Sequence, residues 1–210
     1  MRRLVSDPDV PAEAVVAEAA DILRRGGIVA YPTDTLYGLA VDPRNDAAVG
    51  RLFSLKGRDA AAAIALIAAD PSQAERAGRF GPLERRIAAA FWPGPLTIVV
   101  PADARLSRRL APRGTVGVRV PAHAVARALA AGLGECITAT SANRSGAAAP
   151  ATPADVAQTF ADGIDLVDLL IDAGPAPGGA PSTIVEVIDS VPTLHRAGAI
   201  AWERVLESVE

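Results

Sequence analysis

The chain has 210 residues, half of them hydrophobic, with a net charge of -3 and an isoelectric point near 5.5, which is enough to bury one domain core and argues against a surface that is basic throughout. A single cysteine, Cys136, lies in an apolar run, which excludes a disulfide framework or thiolate metal site and points to a reducing compartment. The longest apolar run, Ala60–Ala69, is too short for a bilayer, and MRRLVSDPDV has no apolar stretch behind its arginines, so the expectation is one cytoplasmic domain over residues 1–210 with no membrane contact.

Pro11–Arg25 reads as an amphipathic helix, with Val15, Ala19, Ile22 and Leu23 on one side, Pro11 in the first turn and Gly26 as the C-cap. A short apolar strand, Gly27–Tyr31, follows and is stopped by Pro32, which delivers Thr33, Asp34 and Thr35 to a strand end, where ligands gather. Asp46–Leu55 has Val49, Leu52 and Phe53 at helical spacing and stops at Gly57, leaving Lys56 and Arg58 on either side of the terminus. Strand Ile64–Ala68, helix Pro82–Trp92, strand Leu96–Val100 and strand Thr115–Val120 come next, the last carrying Arg119.

Ala122–Ala131 reads as a helix and Cys136–Thr140 as a strand that runs into the turn SANRSG, where Asn143 and Gly146 tolerate turn geometry. Thr152 caps a helix from Pro153 to Phe160, and three strands, Leu166–Asp172, Ser182–Ile188 and Pro192–Arg196, precede a last helix, Ile200–Glu207. Alternating strands and helices favour parallel pairing in the first two thirds, and closely spaced strands favour antiparallel pairing near the C-terminus. The fold class is α/β, with a mixed, twisted sheet and flanking helices.

Four separated segments place small hydroxyl, amide or cationic groups at strand ends: PTDTLYGL (Pro32–Leu39), KGR (Lys56–Arg58), SANRSG (Ser141–Gly146) and PST (Pro181–Thr183). Arg58 can fork onto phosphate oxygens and Lys56 adds a compact charge, while the Ser, Thr and Asn groups hydrogen-bond without bulk. That is the chemistry of a polyanion site in a nucleotide enzyme. Taken singly, each segment has a plainer reading: cations after a helix meet its last carbonyls, and SAN is a turn. Tyr31, Tyr37 and Trp92 suit the core or a cleft wall, and Trp202 suits packing on the last helix.

In order, PTDT-YGL, KGR, SAN-SG, ST and the terminal LHRAGAI, with WPGPLTIVVP and VRVPAH between them, resemble the YrdC-type threonylcarbamoyl-adenylate synthases from about Gly26 to Ile200. The resemblance implies an open α/β sheet whose concave face holds the nucleotide. It also implies an enzyme that joins L-threonine, bicarbonate and ATP into threonylcarbamoyl-AMP and pyrophosphate, with Mg2+ accompanying ATP, to supply tRNA modification beside the anticodon. Partner proteins and double-stranded RNA binding belong to the same expectation. By resemblance, Lys56, Arg58, Ser141 and Asn143 form the catalytic, ATP-binding signature, in which the two cations meet phosphate or carbamate oxygens. Thr35, Arg119 and Ser182 match the L-threonine positions, and Thr115 and Arg196 match further ATP contacts.

The chain departs from the pattern at Ala62, Ala63 and Ile64, where many members have Lys or Asn followed by Pro-Leu, and at Ile67, where some have His. One ATP-side and one threonine-side contact are therefore expected to be missing. The short C-terminus resembles the short bacterial form, which leaves Asp59–Ala63 and Ala147–Pro150 as candidate lids. His123 and His195 lack neighbouring ligands at metal spacing, so no protein-built metal site is expected. Two rival readings are an RNA-binding module, disfavoured by acidity and few aromatics, and a related carbamoyl-transfer enzyme.

Overall fold

A computed structural model describes residues 1–57, 64–161 and 167–209. Its elements are β1 (Arg2–Val5), α1 (Glu13–Arg24), β2 (Val29–Pro32), β3 (Tyr37–Ala40), α2 (Asp46–Lys56), β4 (Ala65–Ile67), α3 (Pro71–Glu75), α4 (Pro82–Phe91), β5 (Leu96–Pro101), β6 (Thr115–Arg119), α5 (Ala124–Leu133), β7 (Ile137–Ser141), α6 (Pro153–Thr159), β8 (Leu169–Asp172), β9 (Thr183–Ile188), β10 (Val191–Arg196) and α7 (Trp202–Glu207). Arg58 and the candidate lid Asp59–Ala63 lie outside the described residues, as does Leu166, the expected start of β8.

Local chemistry accounts for the helix ends. Asn45 caps α2 by accepting from the Ala48 amide at 3.1 Å, and Gly57 closes that helix in the left-handed region at φ 58°. Thr152 and Asp155 form a reciprocal capping box at the start of α6. Pro11 lies just ahead of α1 rather than in its first turn, because Ala12 is the N-cap.

Among the described residues the strands form one mixed sheet in the order β1-β8-β2-β3-β7-β4-β6-β5-β9-β10. The parallel pairs are β1/β8, β2/β8, β4/β6 and β5/β9, and the remaining neighbours are antiparallel. The expectation of parallel pairing through the first two thirds is therefore corrected. Two strands had no counterpart in the sequence reading: β1, whose RRLV is mostly exposed, and β3, whose YGLA sits inside a motif read as a strand end. A tight return between β2 and β3 reverses the chain because Thr33 Oγ1 accepts from the Thr35 and Leu36 amides and donates to the Leu36 carbonyl at 2.7 Å.

Side chains alternate between the two faces of the sheet. Along β2, Ala30 joins a large apolar cluster with Leu52 and Phe53 of α2, Ile87 of α4 and Val205 of α7. Val29 and Tyr31 instead join Leu23 of α1 and Leu129 of α5. Helices thus cover both faces, and β2, buried at every residue, reads as a continuous apolar run for that reason.

Candidate active site

Part of the sheet surface is left bare by small side chains. Gly38, Ala65, Thr97, Ala139 and Ser141 line an open cleft of about 380 Å³ whose described lining comes from strands and loops and includes no helix residue. A Cβ on Gly38 would press against the Thr140 carbonyl at 3.3 Å and the Tyr31 ring at 3.4 Å, so glycine there preserves both the strand contact and the opening.

Thr35, Arg119, Ser141, Ser182 and Arg196 all line this cleft, from four segments more than twenty residues apart except for the last two. Arg119 ends β6 with its side chain 8% exposed, and its Nη1 stands 3.2 Å from Asp34 Oδ1. The contact is ionic and lacks the alignment of a hydrogen bond. The other Asp34 oxygen accepts from the Ala122 amide at 3.2 Å. The PTDT turn is thereby tied to the VPAH segment, and Thr35 is fixed further by its hydroxyl, 3.1 Å from that of Thr33.

Beside Arg119, Thr97 on the neighbouring β5 and Ser182 just ahead of β9 share a hydroxyl-hydroxyl hydrogen bond of 2.9 Å. Arg196 donates to the Ser182 carbonyl at 2.7 Å and to its hydroxyl at 3.1 Å. Partial burial, and then the charge of Arg119, hold the Arg196 guanidinium below its ordinary range. Two arginines that line one cleft and repel one another provide a field that an anion relieves.

The PST segment is held by the LHRAGAI segment. Thr183 Oγ1 donates to the Ile200 carbonyl at 2.7 Å and accepts from the Ile200 amide at 2.9 Å, while the Ala199 amide donates to the Pro181 carbonyl at 2.9 Å. Gly198 is required by this seam, since a Cβ there would fall 2.3 Å from the Pro181 carbonyl oxygen.

Lys56, Ser141 and Asn143 come together as a unit. Lys56 Nζ donates to the Ser141 carbonyl at 2.5 Å, to the Asn143 carbonyl at 2.9 Å and to Asn143 Oδ1 at 3.1 Å. Ser141 Oγ donates to Asn143 Oδ1 at 2.5 Å, and Asn143 Nδ2 donates to the Ala147 carbonyl. Of the three, Ser141 lines the cleft, while Lys56 and Asn143 are buried behind it. Ala149, in the second candidate lid, also faces the cleft.

Thr115 is not brought to the cleft. It pairs with Pro101 at the opposite end of β6 from Arg119, and a strand of that length separates its ends by roughly 13 Å. Ile67 pairs with Arg119 and Ile137 in the sheet and packs in the apolar cluster under α1 and α5, so its side chain is committed to the core. His123 is the N-cap residue just ahead of α5, and His195 pairs with Glu186 at 2.6 Å. Among the described residues no three His, Cys, Asp or Glu side chains group in a way that could hold a metal ion.

Tyr31 and Tyr37 stand where they were expected, in the core and at the cleft wall, whereas one contributor, Thr97, was passed over. Tyr31 and Tyr37 are fully buried yet edge the cleft; their hydroxyls donate to the Thr138 carbonyl at 3.0 Å and the Gly174 carbonyl at 2.7 Å. Burial pushes the Tyr37 phenol up to about 12. Thr97, inside the apolar run LTIVV, was missed because a lone hydroxyl in a strand carries no motif; it is the partner that orients Ser182.

A family model described as Sua5_yciO_yrdC, telomere recombination, matches residues 21–198. The chain belongs to the Sua5/YciO/YrdC family. Among its relatives, a protein of Thiobacillus denitrificans named threonylcarbamoyl-AMP synthase is 42% identical over 167 residues, covering 79% of this chain and 87% of that one. The fold matches Sua5 of P. abyssi, solved in complex with L-threonine, at a TM-score of 0.91 and 32% identity over 100% of this chain and 61% of that chain. It also matches E. coli YciO at a TM-score of 0.86 and 26% identity over the full length of both. This chain therefore spans about three fifths of the Sua5 chain and the whole of YciO. No described helix is long and apolar enough to cross a membrane.

Proposed function

We propose that the chain is a threonylcarbamoyl-AMP synthase acting on L-threonine, bicarbonate and ATP. The observation that carries the reading is the meeting of Thr35, Arg119, Ser141, Ser182 and Arg196 in one cleft, in a chain 42% identical to a relative of that name. Threonine's amine and carbon dioxide from bicarbonate form a carbamate. One carbamate oxygen attacks the α-phosphorus of ATP, the bond from that phosphorus to the bridging oxygen breaks, and pyrophosphate leaves.

No step in this sequence needs a strong protein base, so orientation and charge neutralisation carry the acceleration. Arg119 receives the threonine carboxylate, with Thr35 and Ser182 hydrogen-bonding the amino acid. Arg196, Ser141 and Asn143 define the nucleotide side, together with Arg58. Mg2+ would enter as part of the ATP substrate; Asp34, the carboxylate beside Arg119, is already engaged with that arginine and the Ala122 amide. The product then serves tRNA modification through an acceptor enzyme.

Pyrophosphate release measured with ATP, bicarbonate and each amino acid in turn tests the proposal. Release that requires threonine and falls in Arg119→Gln is expected. Release indifferent to the amino acid would overturn it in favour of carbamoyl transfer.

A further inference from the structure

Lys56 is the only lysine in the 210 residues. It is the last residue of α2 and is 3% exposed. Burial of an ammonium is costly unless its protons meet acceptors, and here two main-chain carbonyls and one carboxamide oxygen converge on it within 3.1 Å. The Lys56 carbonyl in turn accepts from the Ser145 amide at 2.8 Å. The end of one helix therefore grips the 141–147 turn through both main chain and side chain. A compact ammonium with three divergent donors suits carbonyls closing around a point, which a planar guanidinium does not.

A lysine that binds phosphate must present its ammonium to the cleft, whereas here the cleft wall is Ser141 and Lys56 is not among the described residues lining it. We propose that Lys56 is a positioning residue: its ammonium locks the 141–147 turn before any nucleotide arrives, so that Ser141 Oγ stands fixed at the cleft wall with the Asn143 carboxamide behind it. The proposal rests on the reading of the cleft as an ATP site, and it assigns Lys56 to the protein's own carbonyls and the phosphates to the arginines.

The single lysine makes the test direct. An acetylating N-hydroxysuccinimide ester modifies only Lys56 and the N-terminal amine, and mass spectrometry resolves the two. In the native protein without ATP, Lys56 is expected to react about 100-fold or more slowly than in urea, because reaction requires local opening, and saturating MgATP is expected only to slow it further by holding the turn closed. Fast acetylation that MgATP suppresses would overturn the proposal. This labelling needs no turnover, so its outcome is separate from that of the pyrophosphate assay.

A second measurement uses ATP binding. Lys56→Met and Asn143→Ala are expected to weaken it by similar factors, with the double variant no worse than either alone, because both act through one turn. Lys56→Arg is expected not to restore it. Losses that multiply in the double variant would overturn the proposal.

Discussion

Asp34 and Arg119 face each other across 3.2 Å with 12% and 8% of their side chains exposed, a carboxylate from the turn after β2 against a guanidinium at the end of β6. The pair fixes the direction of Arg119 from behind while leaving the guanidinium on the cleft wall. A cation so placed is already oriented when a carboxylate ligand arrives.

Arg119→Gln is expected to raise the KM for threonine about 10- to 100-fold, the loss of a charge-assisted hydrogen bond of roughly 1.5–3 kcal/mol. It is also expected to lower stability, because Asp34 is left without its cation. Arg119→Lys should recover the stability more fully than the KM, since a point charge restores the ion pair but not the fork. Steady-state pyrophosphate release and urea unfolding read the two effects separately.

Gly198→Ala tests the seam between RAGAI and PST. Its Cβ would lie 2.3 Å from the Pro181 carbonyl oxygen and 2.6 Å from the Thr183 nitrogen, so the two segments must part. Overpacking of this kind costs about 1–3 kcal/mol. Because Ser182 lies between those contacts and Arg196 grips it, threonine binding measured by calorimetry should weaken with the urea midpoint. Unchanged binding in a destabilised variant would remove the seam from the site.

Thr138→Val tests the joint between β3 and β7. The fully buried Thr138 hydroxyl donates to the Leu39 carbonyl at 3.1 Å and accepts from the Val41 amide at 2.9 Å. Valine keeps the shape and strands a buried amide, which costs about 1–3 kcal/mol. Equilibrium urea unfolding should show this loss with little change in kcat, as Thr138 does not face the cleft.

The buried thiol sets an alkaline limit. Burial pushes Cys136 up from 9.0 to about 12, and Tyr37 up from 10.0 to about 12. Both groups are held neutral in the folded state, so their contribution is complete below pH 9 and is lost as pH rises from about 9 toward 12. Urea midpoints should fall across that window, and Cys136→Ala should delay the onset to near pH 10, the ordinary value that the Tyr37 phenol regains on unfolding. At pH 8 a disulfide reagent such as DTNB should leave the native chain untouched and titrate one thiol per chain in urea, since Cys136 is 3% exposed and its thiol donates to the Gln73 carbonyl.

Most helices were readable because their signals are local. Asn45 and Gly57 bracket α2, Thr152 and Asp155 cap α6, and apolar spacing in α1 and α5 matches the stripe they bury. β3 was hidden because Tyr37–Ala40 is only four residues long and follows its partner after a tight turn. The antiparallel contacts of β7 with both β3 and β4 were hidden too, because pairing partners far apart in the chain leave no periodic trace. The polar site types were legible in PTDT, SAN and PST, whereas Thr97 was not, its function arising only where β5 meets Ser182.

By itself the chain determined its chemistry: which short polar segments exist, where helices begin and end, and that an arginine closes a strand before VPAH. Tertiary structure alone decided how those groups are used. It turned Lys56 onto the carbonyls of a distant turn, set Asp34 behind Arg119, and sent Thr115 to the far end of the strand that carries Arg119. The reason is physical: residue type fixes what a side chain can bond, but strand register and burial fix which partner is within 3 Å, and those are properties of the whole sheet.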